Sequence, residues 1–184
     1  VDKIVIELSA ETFVFNNNVQ KPTVTLVTYG GTELVYNVDY TVKYSDDSSK
    51  DVGEYTVSVI GKGNYVEHTL GEIPYTITPA DSKVEFTDPE VNKVFTDADF
   101  TNALKTNTGD GTLTYVSSDV SVATIDADGK ITIVGHGTTT ITVNKAATHN
   151  YTASETSFEL IVDPKSVSGF TILDIASQLH TGKA

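Results

Sequence analysis

An all-β fold, two antiparallel β-sandwiches in tandem with a short C-terminal tail, is what this sequence predicts. Three observations predict it. Thr takes about one residue in seven, and with Val, Ile and Tyr it supplies side chains that suit a pleated, half-buried surface. Short runs alternate apolar and polar residues with period two, the pattern of a sheet with one wet face. Gly, Asn, Asp and Ser cluster between the runs, where turns need them.

The runs follow in order. A first unit spans residues 1–79. Its strands carry Val24 and Leu26; Tyr40, Val42 and Tyr44; Tyr55, Val57 and Val59; and Ile73, Tyr75 and Ile77. Turn signals separate them at Gly30-Gly31, at Asp46-Asp47-Ser48-Ser49 and at Gly61-Lys62-Gly63-Asn64. Pro79-Ala80-Asp81 follows a finished strand and marks a boundary. A second unit, 80–163, restarts at Val84-Glu85-Phe86. It continues through Leu113 and Tyr115; Ala123 and Ile125; Ile131 and Ile133; Ile141 and Val143; and Phe158, Leu160 and Val162. Both units close alike, with Asn64-Tyr65 and Asn150-Tyr151 each shortly before the last strand. The two tyrosines are expected to plug the ends of their sandwiches. In the tail, 164–184, Ile172, Ile175, Ala176 and Leu179 fall at helical spacing. That segment reads as a short helix or as the opening of a further domain.

Charge and composition remove whole classes of function. The net charge is −13 and there is no arginine. A nucleic-acid binder needs a cationic face that releases counterions, so no nucleic-acid partner is expected. An anionic membrane surface is not expected as a partner for the same reason. No stretch approaches the ~20 apolar residues of a membrane span, so no membrane insertion is expected in this segment. The absence of cysteine removes disulfides, thiolate zinc sites and cysteine nucleophiles. Val1-Asp2-Lys3 leads straight into strand-like sequence without a signal peptide, so the chain reads as a piece of something longer.

The stretch "ATIDADGKITIVGHGTTTITV" (123–143) holds an apparent calcium loop. Counted from Asp126, an EF-hand would need oxygen ligands at its fifth and twelfth positions. Lys130 and Gly137 stand there, so the motif fails. A three-residue turn, Ala127-Asp128-Gly129, instead pairs Ile125 with Ile131 and Ala123 with Ile133. One face is then consistently apolar, with Gly129 in the left-handed position of a bulge.

With that hairpin placed, a resemblance can be named. Ser117-Ser118, Val122-Ala123-Thr124-Ile125, the Asp128-Gly129 turn, Gly135-His136-Gly137-Thr138 and Ile141-Thr142-Val143 together resemble the bacterial Ig-like group 2 (BIG2) domain, over roughly 82–163. The return through Lys145 to Tyr151 is longer than a minimal repeat of that kind needs. The first unit, through "QKPTVTL", "VDYTVKYSD", "VGEYTVSVIGKGNY" and "YTIT", is similar to an MBG-like or Ig-like repeat of bacterial surface proteins, over most of 1–79. These resemblances imply two Ig-like sandwiches in a secreted, extracellular or cell-surface protein. They imply spacing, presentation or adhesion, with neighbouring domains of the parent protein as partners.

Few residues point to chemistry. His68, His136, His149 and His180 form no i, i+4 pair and no H-E-x-x-H, so no metal site is expected. No nucleophile elbow or catalytic triad stands out, and two small sandwiches offer little room for a catalytic cleft. No enzyme and no cofactor is expected. Asp46, Asp47 and Asp51 share one loop, and Asp97 and Asp99 share another. Such loops either hold calcium weakly or are polar turns. Seven of the nine tyrosines lie in the first unit. Tyr40, Tyr44, Tyr55 and Tyr75 fall on the apolar phase and are expected in the core. Tyr29, Tyr36 and Tyr65 sit near loops and are the candidate ligand-binding residues, able to stack on surface glycans or to meet host proteins. The leading expectation is a non-catalytic spacer or adhesion module, and the alternative is a carbohydrate-binding or ligand-binding adhesin module.

Overall fold

The structure is a computed structural model that describes residues 3–65, 69–167 and 169. It is built of strands, with one short 3-10 turn at Gly63–Tyr65. The strands fall into two sets, and no ladder among the described residues joins a strand of one set to a strand of the other.

The N-terminal set holds β1 (Ile4–Leu8), β2 (Thr12–Val14), β3 (Val24–Tyr29), β4 (Thr32–Glu33), β5 (Tyr40–Tyr44), β6 (Gly53–Gly61) and β7 (Thr69–Thr78). One sheet has the order β1-β3-β4 and the other β2-β7-β6-β5. The period-two pattern does what it predicted on β6 and β7. Val57, Val59, Tyr75 and Ile77 point inward and are buried. Val27 and Leu34 close the core from the other side, and Tyr40 joins them from β5. Tyr44 and Tyr55 are only partly buried, so two of the four tyrosines expected inside stand at its margin.

The C-terminal set holds β8 (Lys83–Phe86), β9 (Glu90–Val94), β10 (Leu104–Thr108), β11 (Leu113–Ser117), β12 (Ala123–Ile125), β13 (Ile131–Ile133), β14 (Gly137–Lys145) and β15 (Ser154–Asp163). Its main sheet runs β11-β14-β15-β9, faced by the β8–β10 pair and the β12–β13 hairpin. Phe86 and Phe158 meet edge to face at 4.8 Å in the middle of a core that includes Ile131, Ile141, Val143 and Leu160.

The hairpin has the expected register, Ala123 with Ile133 and Ile125 with Ile131. Gly129 has φ 79°, the left-handed conformation that a glycine adopts without steric cost. Two features were not anticipated. β2 runs parallel to β7, and β9 runs parallel to β15, so each first strand crosses from one sheet to the other before joining its last strand. The helical spacing at Ile172–Leu179 lies outside the described residues.

Six strands of each set correspond, and β4 has no counterpart in the C-terminal set. β1, β2, β3, β5, β6 and β7 take the places of β8, β9, β10, β11, β14 and β15. They differ between β5 and β6, where the N-terminal set has a short loop. The C-terminal set has the β12–β13 hairpin at that place. Ile131 there exchanges backbone hydrogen bonds with Phe100 at 2.7 and 3.1 Å. In the loop, Ser49 plays a similar part. Its carbonyl accepts from the Gln20 N–H at 2.8 Å, and its buried hydroxyl lies 2.8 Å from the Tyr75 hydroxyl.

Candidate functional site

The tyrosines proposed from sequence do not form one platform. Tyr29 and Tyr65 meet each other at 66° with centroids 5.7 Å apart. Together with Ile4, Asn64, Thr69 and Leu70 they line a cavity of about 380 Å³. Tyr36 is 56% exposed and leans instead on Tyr40, 5.7 Å away. It borders a second groove of about 330 Å³ with Thr23, Val24, Val42 and Tyr44. One face of that groove is already taken, because the Lys21 ammonium sits 4.7 Å from the centre of the Tyr44 ring. The Tyr44 hydroxyl donates to the Pro22 carbonyl at 2.6 Å.

The acidic loops are each committed to local bonds. Asp46 accepts from the Ser48 N–H and hydroxyl, and the hydroxyl bond is the main cause that holds its carboxyl below the usual range. Asp47 pairs with Lys21 at 3.0 Å. Asp97 accepts the Val94 N–H, and Asp99 pairs with Lys130 at 2.7 Å. That bond lowers the Asp99 carboxyl and raises the Lys130 amine. Among the described residues no three His, Asp or Glu side chains gather as metal ligands would. His136 and His149 are exposed and separate. No helix among the described residues is long and apolar enough to cross a membrane.

Asp51 does something else. Its carboxylate accepts from the Asn150 side-chain N–H at 3.0 Å, and the Asn150 side-chain oxygen accepts from the Val52 backbone N–H at 2.9 Å. One amide thus uses both of its ends across the seam between the strand sets. Beside it the Tyr151 ring meets Phe15 edge to face at 5.4 Å. The linking residue Ala80 is bound on both sides: its N–H donates to the Asn150 carbonyl at 3.0 Å and its carbonyl accepts from Thr152 at 2.9 Å. Tyr151, expected to plug its own sandwich, stands over Gly109 of its own set, where a Cβ would lie 3.3 Å from its ring, and its ring also meets Phe15 of the neighbouring set. Tyr65 does pack against its own core. Sequence reasoning noticed the repeated Asn-Tyr, but nothing local marked Asp51 or Phe15 as its counterparts.

Comparison with known proteins bears on the C-terminal set. A family described as the intimin immunoglobulin-like domain matches residues 99–148, from the approach to β10 to just past the end of β14. This stretch is thus similar to a bacterial Ig-like domain. Intimin of Escherichia coli O157:H7 is 38% identical over 65 residues, which are 34% of this chain and 7% of that protein. The chain therefore spans a small fraction of the relative it matches. Solved structures overlap loosely. The surface layer protein SbsC, domains 1–6, is 19% identical with a TM-score of 0.39, covering 90% of this chain and 29% of that one. Human mucin-like protocadherin EC1-2 is 9% identical with a TM-score of 0.36, covering 88% and 98%. Overlaps this loose leave the function to the chain's own residues.

Proposed function

We propose that the chain is a non-catalytic spacer and presentation module of a bacterial cell-surface or secreted protein, built of two Ig-like sandwiches in tandem. The first unit is residues 1–79, of MBG-like type, and the second is 80–163, of BIG2 type. The observation that carries this reading is the seam. A flexible linker would leave two small sandwiches free to swing. Here Pro79 restricts φ in the link, the next residue, Ala80, is pinned by both of its backbone groups to Asn150 and Thr152 of the second unit, and Asn150 and Tyr151 reach across to Asp51, Val52 and Phe15. β7 ends where the first unit meets the second, so the units lie end to end. The match of residues 99–148 to an intimin Ig-like domain supports a surface setting, with neighbouring domains as partners.

Small-angle scattering tests the spacer. A compact globule of this length would have a radius of gyration of about 16 Å. An end-to-end pair should exceed about 20 Å, with an elongated distance distribution. A value near the compact figure would remove the reading's physical basis.

The second reading, a glycan-binding or adhesin module, rests on the groove beside the exposed Tyr36 and on the Tyr29–Tyr65 cavity. Hits on a glycan array that vanish with Tyr36→Ala, in a variant that still folds, would put this reading first.

A further inference from the structure

The seam has a counterpart at the end of the second strand set, where among the described residues no aromatic ring meets it. Phe15 is the residue directly after β2, and its N–H donates to the carbonyl of Thr78, the last residue of β7, at 2.9 Å. Phe95 is the residue directly after β9, and its N–H donates to the carbonyl of Asp163, the last residue of β15, also at 2.9 Å. The two phenylalanines hold the same place in corresponding frameworks. Phe15 is 7% exposed, with Tyr151 against its ring, whereas Phe95 is 45% exposed. The rest of the seat corresponds as well. Val52, whose N–H the seam uses, directly precedes β6, and His136 directly precedes β14. Pro79 follows the last strand of the first unit, and Pro164 follows the last strand of the second.

We infer that Phe95, with Val94 and the backbone at His136, is the seat for the Asn-Tyr end of a further Ig-like unit that follows in the chain through Pro164. The occupant is defined by chemistry already seen once in this molecule: a side-chain amide that accepts the exposed backbone N–H, and a tyrosine ring that meets the phenylalanine edge to face. Burying a large aromatic ring otherwise left to water favours occupation. One feature distinguishes the second seat from the first. Gly135 stands where Asp51 stands, so the amide's N–H end must find another acceptor. This inference extends the spacer reading to a repeating array, with the same contact at every joint.

The test is a tandem in which residues 1–163 run directly into a second copy of residues 79–184, compared with the chain itself. The added copy brings its own Asn150-Tyr151 to the Phe95 seat. Amide exchange over residues 93–97 and 135–137 is expected to slow about tenfold in the tandem. Tyr151→Ser in the added copy should restore the original rates. The same substitution in the chain itself should speed exchange around Phe15, which gives the scale of the effect. A second tandem, in which residues 1–167 run into residues 83–184 so that the natural residues after Pro164 form the link, brings the same Asn150-Tyr151 to the seat and covers the case where the first folds poorly. Unchanged exchange at Phe95 in both would overturn the inference. A rod-like chain whose Phe95 gains no protection sinks this inference alone and leaves the spacer reading standing.

Discussion

At Gly129 one residue decides a turn. Its φ is 79°, and a Cβ built there would lie 3.1 Å from the Tyr115 ring. Gly129→Ala therefore combines a left-handed penalty with a tight contact and should cost about 1–2 kcal/mol by denaturant unfolding. Asp126 holds the same turn from its other end, because one carboxylate oxygen accepts the N–H groups of Asp128 and Lys130, each at 2.9 Å. Asp126→Asn keeps that oxygen and should be nearly neutral, while Asp126→Ala should cost about 1 kcal/mol. Millimolar calcium should move none of these midpoints. A calcium-dependent midpoint abolished by Asp126→Asn would restore the metal reading. This hairpin was legible in the sequence because all its determinants lie within a few residues and the register test uses side-chain phase alone. Asn150 and Asp51 were not legible as partners, since they are 99 positions apart and neither residue type is unusual where it stands.

Among the elements, the long strands could be read, and of the short ones those with a clear phase, β8 and the β12–β13 hairpin, could be read while others could not. β6, β7, β14 and β15 alternate over nine or ten residues, and each found its place. β2 has three residues, with one half-buried, so no period can be recognised in it. Its parallel pairing with β7, from Thr12–Val14 to Thr76–Thr78, depends on the finished fold. The tyrosine-rich strands carry a pH consequence. Burial raises the phenols of Tyr40 and Tyr44 on β5 and of Tyr55 on β6 above their ordinary value. A raised folded value stabilises the fold fully below the unfolded pKa of about 10, and that stability is lost as pH rises through the folded values. The thermal midpoint should thus fall steadily above about pH 10. Tyr44→Phe gives up the bond to Pro22, so at neutral pH it should be less stable by about 1 kcal/mol. Its midpoint should then fall less steeply with alkali than that of the parent chain. Parallel curves would show that Tyr44 ionisation does not contribute.

For the whole molecule, the question is whether the seam fixes the angle between the two strand sets or merely touches. Asn150→Asp separates these possibilities without disturbing either core. The substitution keeps an oxygen for the Val52 N–H but replaces the N–H that meets the Asp51 carboxylate at 3.0 Å. Two carboxylates then face each other at hydrogen-bond distance. Like charges this close cannot both ionise cheaply, so one of the pair takes up a proton more readily than an ordinary carboxylate. At pH 7 the repulsion should open the seam. Scattering should show a broader distance distribution, and amides around Phe15 should exchange faster. Acidification to about pH 4 should let the pair share a proton and close the seam again, while the parent chain changes little over that range. The unfolding midpoint of each strand set should stay put throughout, because the affected groups lie outside both cores. An unchanged distance distribution at pH 7 would mean that the Tyr151–Phe15 contact and the short link at Pro79 hold the angle without help from the Asn150 side chain.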